Sequence, residues 1–332
     1  MNLKKFWFLL LCTPYALQLV QADEVLTHLP EPGITSIESP WFTGPLLAPA
    51  AHTIPPGHYD IEPYLNFFAF TGSYGDNWKT TSTPNFYSLN LYVPGWIGIT
   101  SFLDFSIALQ GFYQFTQGER STQFGDLPFG FDIQLLNETE AGWWPSIKMS
   151  LQASAPTGKY KNLNPDKLGT DAVGSGNWRP GINLVLGRLY QVAANHFLAP
   201  RVAFNYTVPT PLHVSNLNVY GGTEGTSGTV YPGNSFWVDC GLEYNMTQKW
   251  ALALDLYYQH WNKNKFKGNT GFISEGVAAI MTNPSAEQFS LAPAIEYNWS
   301  PYVGLIGGVW FTVGGRNAAR FVTGTLALNI YI

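Results

Sequence analysis

Charge is scarce in this chain of 332 residues: Asp, Glu, Lys and Arg together make up 12% of it, where roughly 25% is usual for a soluble domain. The charge that exists leans acidic, with 22 acidic against 17 basic residues, which excludes the basic surplus on which nucleic-acid binding depends. Cysteine is nearly missing. There are two, and Cys12 falls in the apolar N-terminus, so an exported chain would keep Cys240 alone and could form neither an intrachain disulfide nor a cysteine-based metal cluster. The six histidines, His28, His52, His58, His196, His213 and His260, do not approach ligand spacing, although His52 and His58 could share a loop, so no metal and no cofactor is expected. Long apolar runs are absent too. Past the first 22 residues nothing approaches the roughly 18 consecutive apolar residues of a membrane-spanning helix.

The N-terminus reads as an export signal. Lys4 and Lys5 precede an apolar core from Phe6 to Leu11, and Val20-Gln21-Ala22 offers small-residue cleavage before Asp23, which together predict a signal peptide over residues 1–22. A lone membrane anchor is the alternative, but the core is short and Pro14 breaks it. A lipoprotein site is rejected because Leu11 stands where a small residue must precede Cys12. Without Lys4 and Lys5 the exported chain keeps 15 basic against 22 acidic residues, a balance of −7. Residues 23–57 are rich in proline and lack alternation, as in Pro40-Trp41-Phe42-Thr43-Gly44-Pro45 and Pro55-Pro56-Gly57. They are expected to form a partly ordered periplasmic tail, with a plug folded into a barrel mouth as the alternative.

What the chain has in quantity is aromatic side chains, 16% of residues, and alternation of period two. In Trp250, Leu252, Leu254, Leu256 and Tyr258 one face is apolar, while Ala251, Ala253, Asp255, Tyr257 and Gln259 give the other face small and polar groups. Because backbone groups left unpaired in hydrocarbon are too costly, a sheet with lipid on one face must close on itself. The pattern predicts an all-β, transmembrane antiparallel β-barrel over residues 58–332. About twelve strands are expected, near 58–70, 85–94, 101–116, 126–137, 145–155, 179–193, 197–208, 235–246, 249–261, 287–299, 302–313 and 318–332. Tight turns at Pro94-Gly95-Trp96, Ala194-Asn195-His196, Thr247-Gln248-Lys249 and Ser300-Pro301, with a longer one over Glu138 to Trp144, alternate with long polar connections near 71–84, 117–125, 156–178, 209–234 and 262–286. Only Gly314 to Asn317 breaks that order by being short. Short turns on the periplasmic side and long loops outside are how bacterial barrels are built. A β-sandwich would also show many strands, but its loops would not sort by length. Trp250, Trp299, Tyr258, Trp261 and Trp310 are read as interfacial aromatics.

If the apolar faces meet lipid, the opposite faces bring Glu62, Asp104, Asp132, Lys148, Arg201, Asp239, Glu243, Asp255 and Glu296 to the lumen, seven acids and two bases. Charges inside a wall must be hydrated or paired, so a polar interior follows, and an ordinary network of ion pairs stiffening the wall is the alternative to a selective site. Cys240 falls on the apolar face beside Val238 and Leu242. His213-Val214-Ser215-Asn216 resembles the His-x-Ser-Asn element of outer-membrane phospholipases, which are also twelve-stranded barrels, and an imidazole beside a hydroxyl is what nucleophile activation needs. The run follows Pro209-Thr210-Pro211 in a loop, however, and no second asparagine stands where that family would use one to orient its histidine.

The loop after the fifth strand carries the most specific wording: Ala155-Pro156-Thr157-Gly158-Lys159-Tyr160, then Asn162-Leu163-Asn164-Pro165-Asp166-Lys167, Gly169-Thr170-Asp171 and Gly174-Ser175-Gly176-Asn177-Trp178. These residues suit a solvated external loop, in which Asp166 and Asp171 are weak cation ligands at best. Across 147–178 the wording resembles the outer-membrane transporter-like family named for the meta pathway of phenol degradation, in which a strand ends in a Pro-Thr-Gly turn before a Gly-rich loop. That resemblance implies an outer-membrane barrel admitting small hydrophobic or aromatic compounds, and it assigns no site residues. The expected protein is therefore a non-enzymatic channel for passive uptake in the outer membrane of a Gram-negative bacterium. Its partners would be outer-membrane lipid, small solutes and the barrel-assembly machinery, with the oligomeric state left open. A surface or structural barrel with a closed lumen is the alternative.

Overall fold

The computed structural model describes residues 39–139 and 143–332; the expected signal peptide and residues 23–38 lie outside them. Twelve antiparallel strands form the wall: β1 (Tyr64–Tyr74), β2 (Thr80–Thr100), β3 (Leu103–Thr116), β4 (Leu127–Leu136), β5 (Ser146–Ala155), β6 (Gly181–Gly187), β7 (His196–Thr207), β8 (Ser235–Asn245), β9 (Trp250–Trp261), β10 (Ala286–Ser300), β11 (Val303–Arg316) and β12 (Ala319–Tyr331). Each pairs with its neighbours in sequence, and the ring closes where β1 meets β12, with Leu65 opposite Leu326. Closure leaves no unpaired edge along the circuit, as a wall in hydrocarbon requires. Alternation is kept throughout. On β9, Leu252, Leu254 and Leu256 face outward with 38–50% exposure while Asp255 faces inward with none, and outward Leu65, Leu91, Leu109, Leu151, Leu242, Ile295 and Leu326 continue the apolar belt. Cys240 lies on this outer face as expected, half-buried and free.

Three expected connections differ. Pro94-Gly95-Trp96 is not a turn but lies within β2, opposite Ala108, Ile107 and Ser106. The neighbouring ladder breaks between Ile61 and Tyr64 at this level, and there the Glu62 N–H donates to the Pro94 carbonyl (3.1 Å), so Pro94 sits where a missing donor is least harmful. The expected loop 71–84 is mostly strand, because the β-branched run Thr80 to Thr83 extends the β1–β2 hairpin outward. Likewise Glu119–Phe124 folds back on β3 through the left-handed pair Gln117-Gly118. The remaining three long connections build a cap, whose core joins Leu163 and Ala172 to Leu212, Val214, Val219, Tyr220, Val230 and Met281. A sheet of Leu212–Ser215, Ser227–Tyr231 and Lys265–Asn269 stiffens it.

Candidate functional site

The described part of the proline-rich segment does not hang as a tail. From Ser39, whose carbonyl accepts from Gln248 in the short turn between β8 and β9 (2.7 Å), the chain climbs inside the barrel to an apex at Leu46–Pro49 and descends to Pro55, forming an inverted U. Sequence reading favoured a tail because proline removes N–H donors and breaks alternation. Inside a barrel those traits are useful, since the chain needs no ladder of its own if the wall supplies acceptors. Thr43 N–H donates to Glu296 (2.7 Å) and Gly44 N–H to Glu243 (3.0 Å). Leu47 and Ala48 N–H groups donate to Asp255 (3.3 and 3.1 Å). On the descending limb Thr53 N–H donates to Gln134 (2.8 Å) and Ile54 N–H to Asp104 (2.7 Å).

Glycines make the bed on which this strap lies. A Cβ on Gly241 would overlap Ala48 and the Pro45 ring, one on Gly308 would overlap Leu46, and one on Gly98 the Pro55 carbonyl. Gly187 has the same relation to Ala51. No other residue lets backbone and wall approach so closely.

All nine expected lumen residues face inward, and each is 4% exposed or less. They do not border an open, water-filled bore. Glu243, Asp255, Glu296 and Asp104 hold the strap; Glu243 also accepts from Arg201. Asp132 lies 3.9 Å from Lys148, and Glu62 accepts from Tyr64 and Asn329 (2.8 and 3.0 Å). Asp239 alone among them has both carboxylate oxygens buried with no hydrogen-bond partner. Because removing one member of a buried ion pair strands the other charge, Arg201→Met should destabilise the barrel by about 3–5 kcal/mol. Urea unfolding in detergent or lipid measures this, and the double variant with Glu243→Gln should recover part of the loss.

Sequence reading missed the other half of the interior. Trp310 is not an interfacial residue: it points inward at 2% exposure, its indole N–H donates to Ser290 (2.8 Å), and its ring meets Phe68, Phe321 and Tyr257 edge-on. The contacts continue through Phe70 to Phe86 on one side and through Tyr257 to Trp237 on the other. One wall of the outer lumen is thus an aromatic seam, with offset and edge-to-face geometry. Facing it, β3 to β7 present Gln110, Gln152, Asn183, Asn205 and Thr207. Beside the strap apex lies a cavity of about 60 Å³, lined by Leu47, Pro49, Tyr92, Trp237, Gln152, Asn205 and Arg179 among others.

The loop expected to be solvated is folded and largely buried in its second half. Asp126 collects the N–H of Gly158 (2.9 Å) and the N–H and hydroxyl of Ser175 (2.7 and 2.6 Å), so Thr170 to Ser175 are buried. Asp171 is taken up by the Lys159 ammonium (2.5 Å) and Asn164 N–H (3.2 Å), which corrects its reading as a cation ligand. His213 is exposed on the cap sheet, and the Ser215 hydroxyl donates to Asn162 (3.3 Å). Neighbouring Asn216 also bonds Asn162 (2.9 Å). The run His213 to Asn216 is thus built into the cap and not into the wall.

Fold and interior define a class: closed twelve-stranded β-barrels with an apolar exterior and an occupied lumen. No protein-family model matches the chain, and no curated protein matches it by sequence. Among solved structures it is similar to an outer membrane channel from Pseudomonas putida F1, with a TM-score of 0.65 at 12% identity over 85% of this chain and 98% of that one. Much weaker likenesses are the NanC porin, at a TM-score of 0.44, 8% identity and 81% and 98% coverage, and the TodX monoaromatic hydrocarbon channel, at 0.36, 9%, and 84% and 90%.

Proposed function

We propose that this protein is an outer-membrane channel for passive uptake of small solutes. The observation that carries the reading is the cavity at mid-lumen, beside the strap apex in a barrel whose outside is apolar. Barrels near eight strands are filled by their own side chains and those of sixteen to eighteen conduct water, so at twelve strands the interior itself decides. Here the filling is a separate segment seated on glycines, and the cavity is lined by Tyr92, Phe129 and Trp237 beside the amides Gln152, Asn205 and Gln259, which suits small solutes with an apolar or aromatic body. The loop wording across 147–178 and the likeness to the Pseudomonas putida channel support the same assignment.

Swelling of proteoliposomes with neutral solutes graded in size tests it. Small neutral and aromatic solutes should enter and larger sugars should not, and absence of all entry would favour the closed structural barrel. Ser215→Ala and His213→Ala should leave uptake unchanged. A lipid-hydrolysing activity lost with Ser215 would instead support an enzyme.

A further inference from the structure

Every acid around the strap apex is engaged except one. Asp255 is held by two strap amides, Glu243 by Arg201 and Gly44, and Glu296 by Thr43. Asp239, on β8 between Trp237 and Gly241, is fully buried and both of its oxygens lack a hydrogen-bond partner. Arg201 attracts it and Asp255 repels it, but Arg201 is already hydrogen-bonded to Glu243, and acids outnumber bases in this cluster, so a further cation would be favoured there. Its surroundings are specific. Tyr257 stands directly opposite on β9 and Ala203 on β7. Trp237 is the next inward side chain on its own strand and lines the mid-lumen cavity, with its ring 5.8 Å from that of Tyr257. Arg201, one pleat nearer the periplasm on β7, hydrogen-bonds Glu243. The cationic group at the cavity, Arg179, lies beyond Gly181 and Thr207, two pleats outward of Ala203, which is about 13 Å of strand.

A buried carboxylate with no side-chain donor, placed next to Trp237 on its own strand and opposite Tyr257 in register, combines the charge and the electron-rich rings that recognise an organic ammonium. We propose that Asp239, Trp237 and Tyr257 form a binding site for small organic cations, an ammonium group carrying a compact apolar or aromatic body, entered from the mid-lumen cavity. This rests on the channel reading and deepens it. The carboxylate takes the charge, the two rings take the body, and the polar wall opposite keeps water available for release.

Three probes share one body and differ in charge: phenethylammonium, phenethyl alcohol and phenylacetate. Binding to the purified full-length protein in detergent, followed by calorimetry, should favour the ammonium over the alcohol by about tenfold or more, with no measurable binding of phenylacetate. Asp239→Asn should abolish that preference, and Trp237→Leu should weaken the ammonium. Equal binding of ammonium and alcohol by the native protein would overturn the site, whether or not the variants fold. So would a preference that survives Asp239→Asn. Binding of the ammonium without transport of any probe would uphold the site and refute the channel, whereas uptake of the alcohol without ammonium preference would do the reverse.

Discussion

A protein lacking residues 41–54 should conduct steadily in planar bilayers where the intact chain passes little current. The strap fills the half of the lumen nearer the turn at Gln248, and its removal leaves a bed of glycines with no side chains to take its place. The barrel should still form, because its ladders do not include the strap. It should be less stable. Asp104, Glu243, Asp255 and Glu296 would each lose a backbone donor, at about 1–3 kcal/mol for any acceptor that water does not reach. Gly241→Leu should produce the same conductance without a deletion, since its side chain would occupy the place of Ala48 and Pro45. Unchanged conductance in both variants would move the barrier to the cap and the aromatic seam.

On the outer face, Leu254→Arg should impair assembly outright. Leu254 is outward and paired with Leu242 and Pro293 near the middle of β9, and arginine at the bilayer midplane of a barrel costs about 2–4 kcal/mol. Heat-dependent mobility on gels after refolding into vesicles reports the folded fraction. Asp255→Asn, one residue along, alters the other face. Alternation alone would make it a mild change in a wet lumen, but the structure gives Asp255 two strap donors, so the amide should weaken the strap and raise conductance while the barrel folds. Normal folding of the arginine variant together with loss of the asparagine one would invert the two faces.

The wall was legible because period two is a strong signal wherever the two faces differ. Leu252, Leu254 and Leu256 against Ala253 and Asp255 give strand, register and side at once. The interior was less so. On β1 both faces are apolar, with Phe67 outward and Phe68 and Phe70 inward, so alternation hides the aromatic seam, and Trp310 looks like any rim tryptophan until its ring contacts are seen. The inward acids could be picked out, yet what satisfies them could not. Their partners are backbone N–H groups of a segment about 50 to 250 residues away, and an N–H has no sequence signature. The one trace was negative: inward glycines at 98, 187, 241 and 308 in otherwise bulky strands, which mark close approach by another chain segment.

The strap also fixes an order in time. Thr43 bonds Glu296 across 253 positions of sequence, and Gly44 bonds Glu243 across 199, so the ascending limb of the strap has no partners until the eighth and tenth strands exist. Contacts this distant close late. That limb must therefore wait while the sheet grows and closes. Its entry from below becomes the concluding step of maturation, and a half-assembled barrel remains unsealed until then.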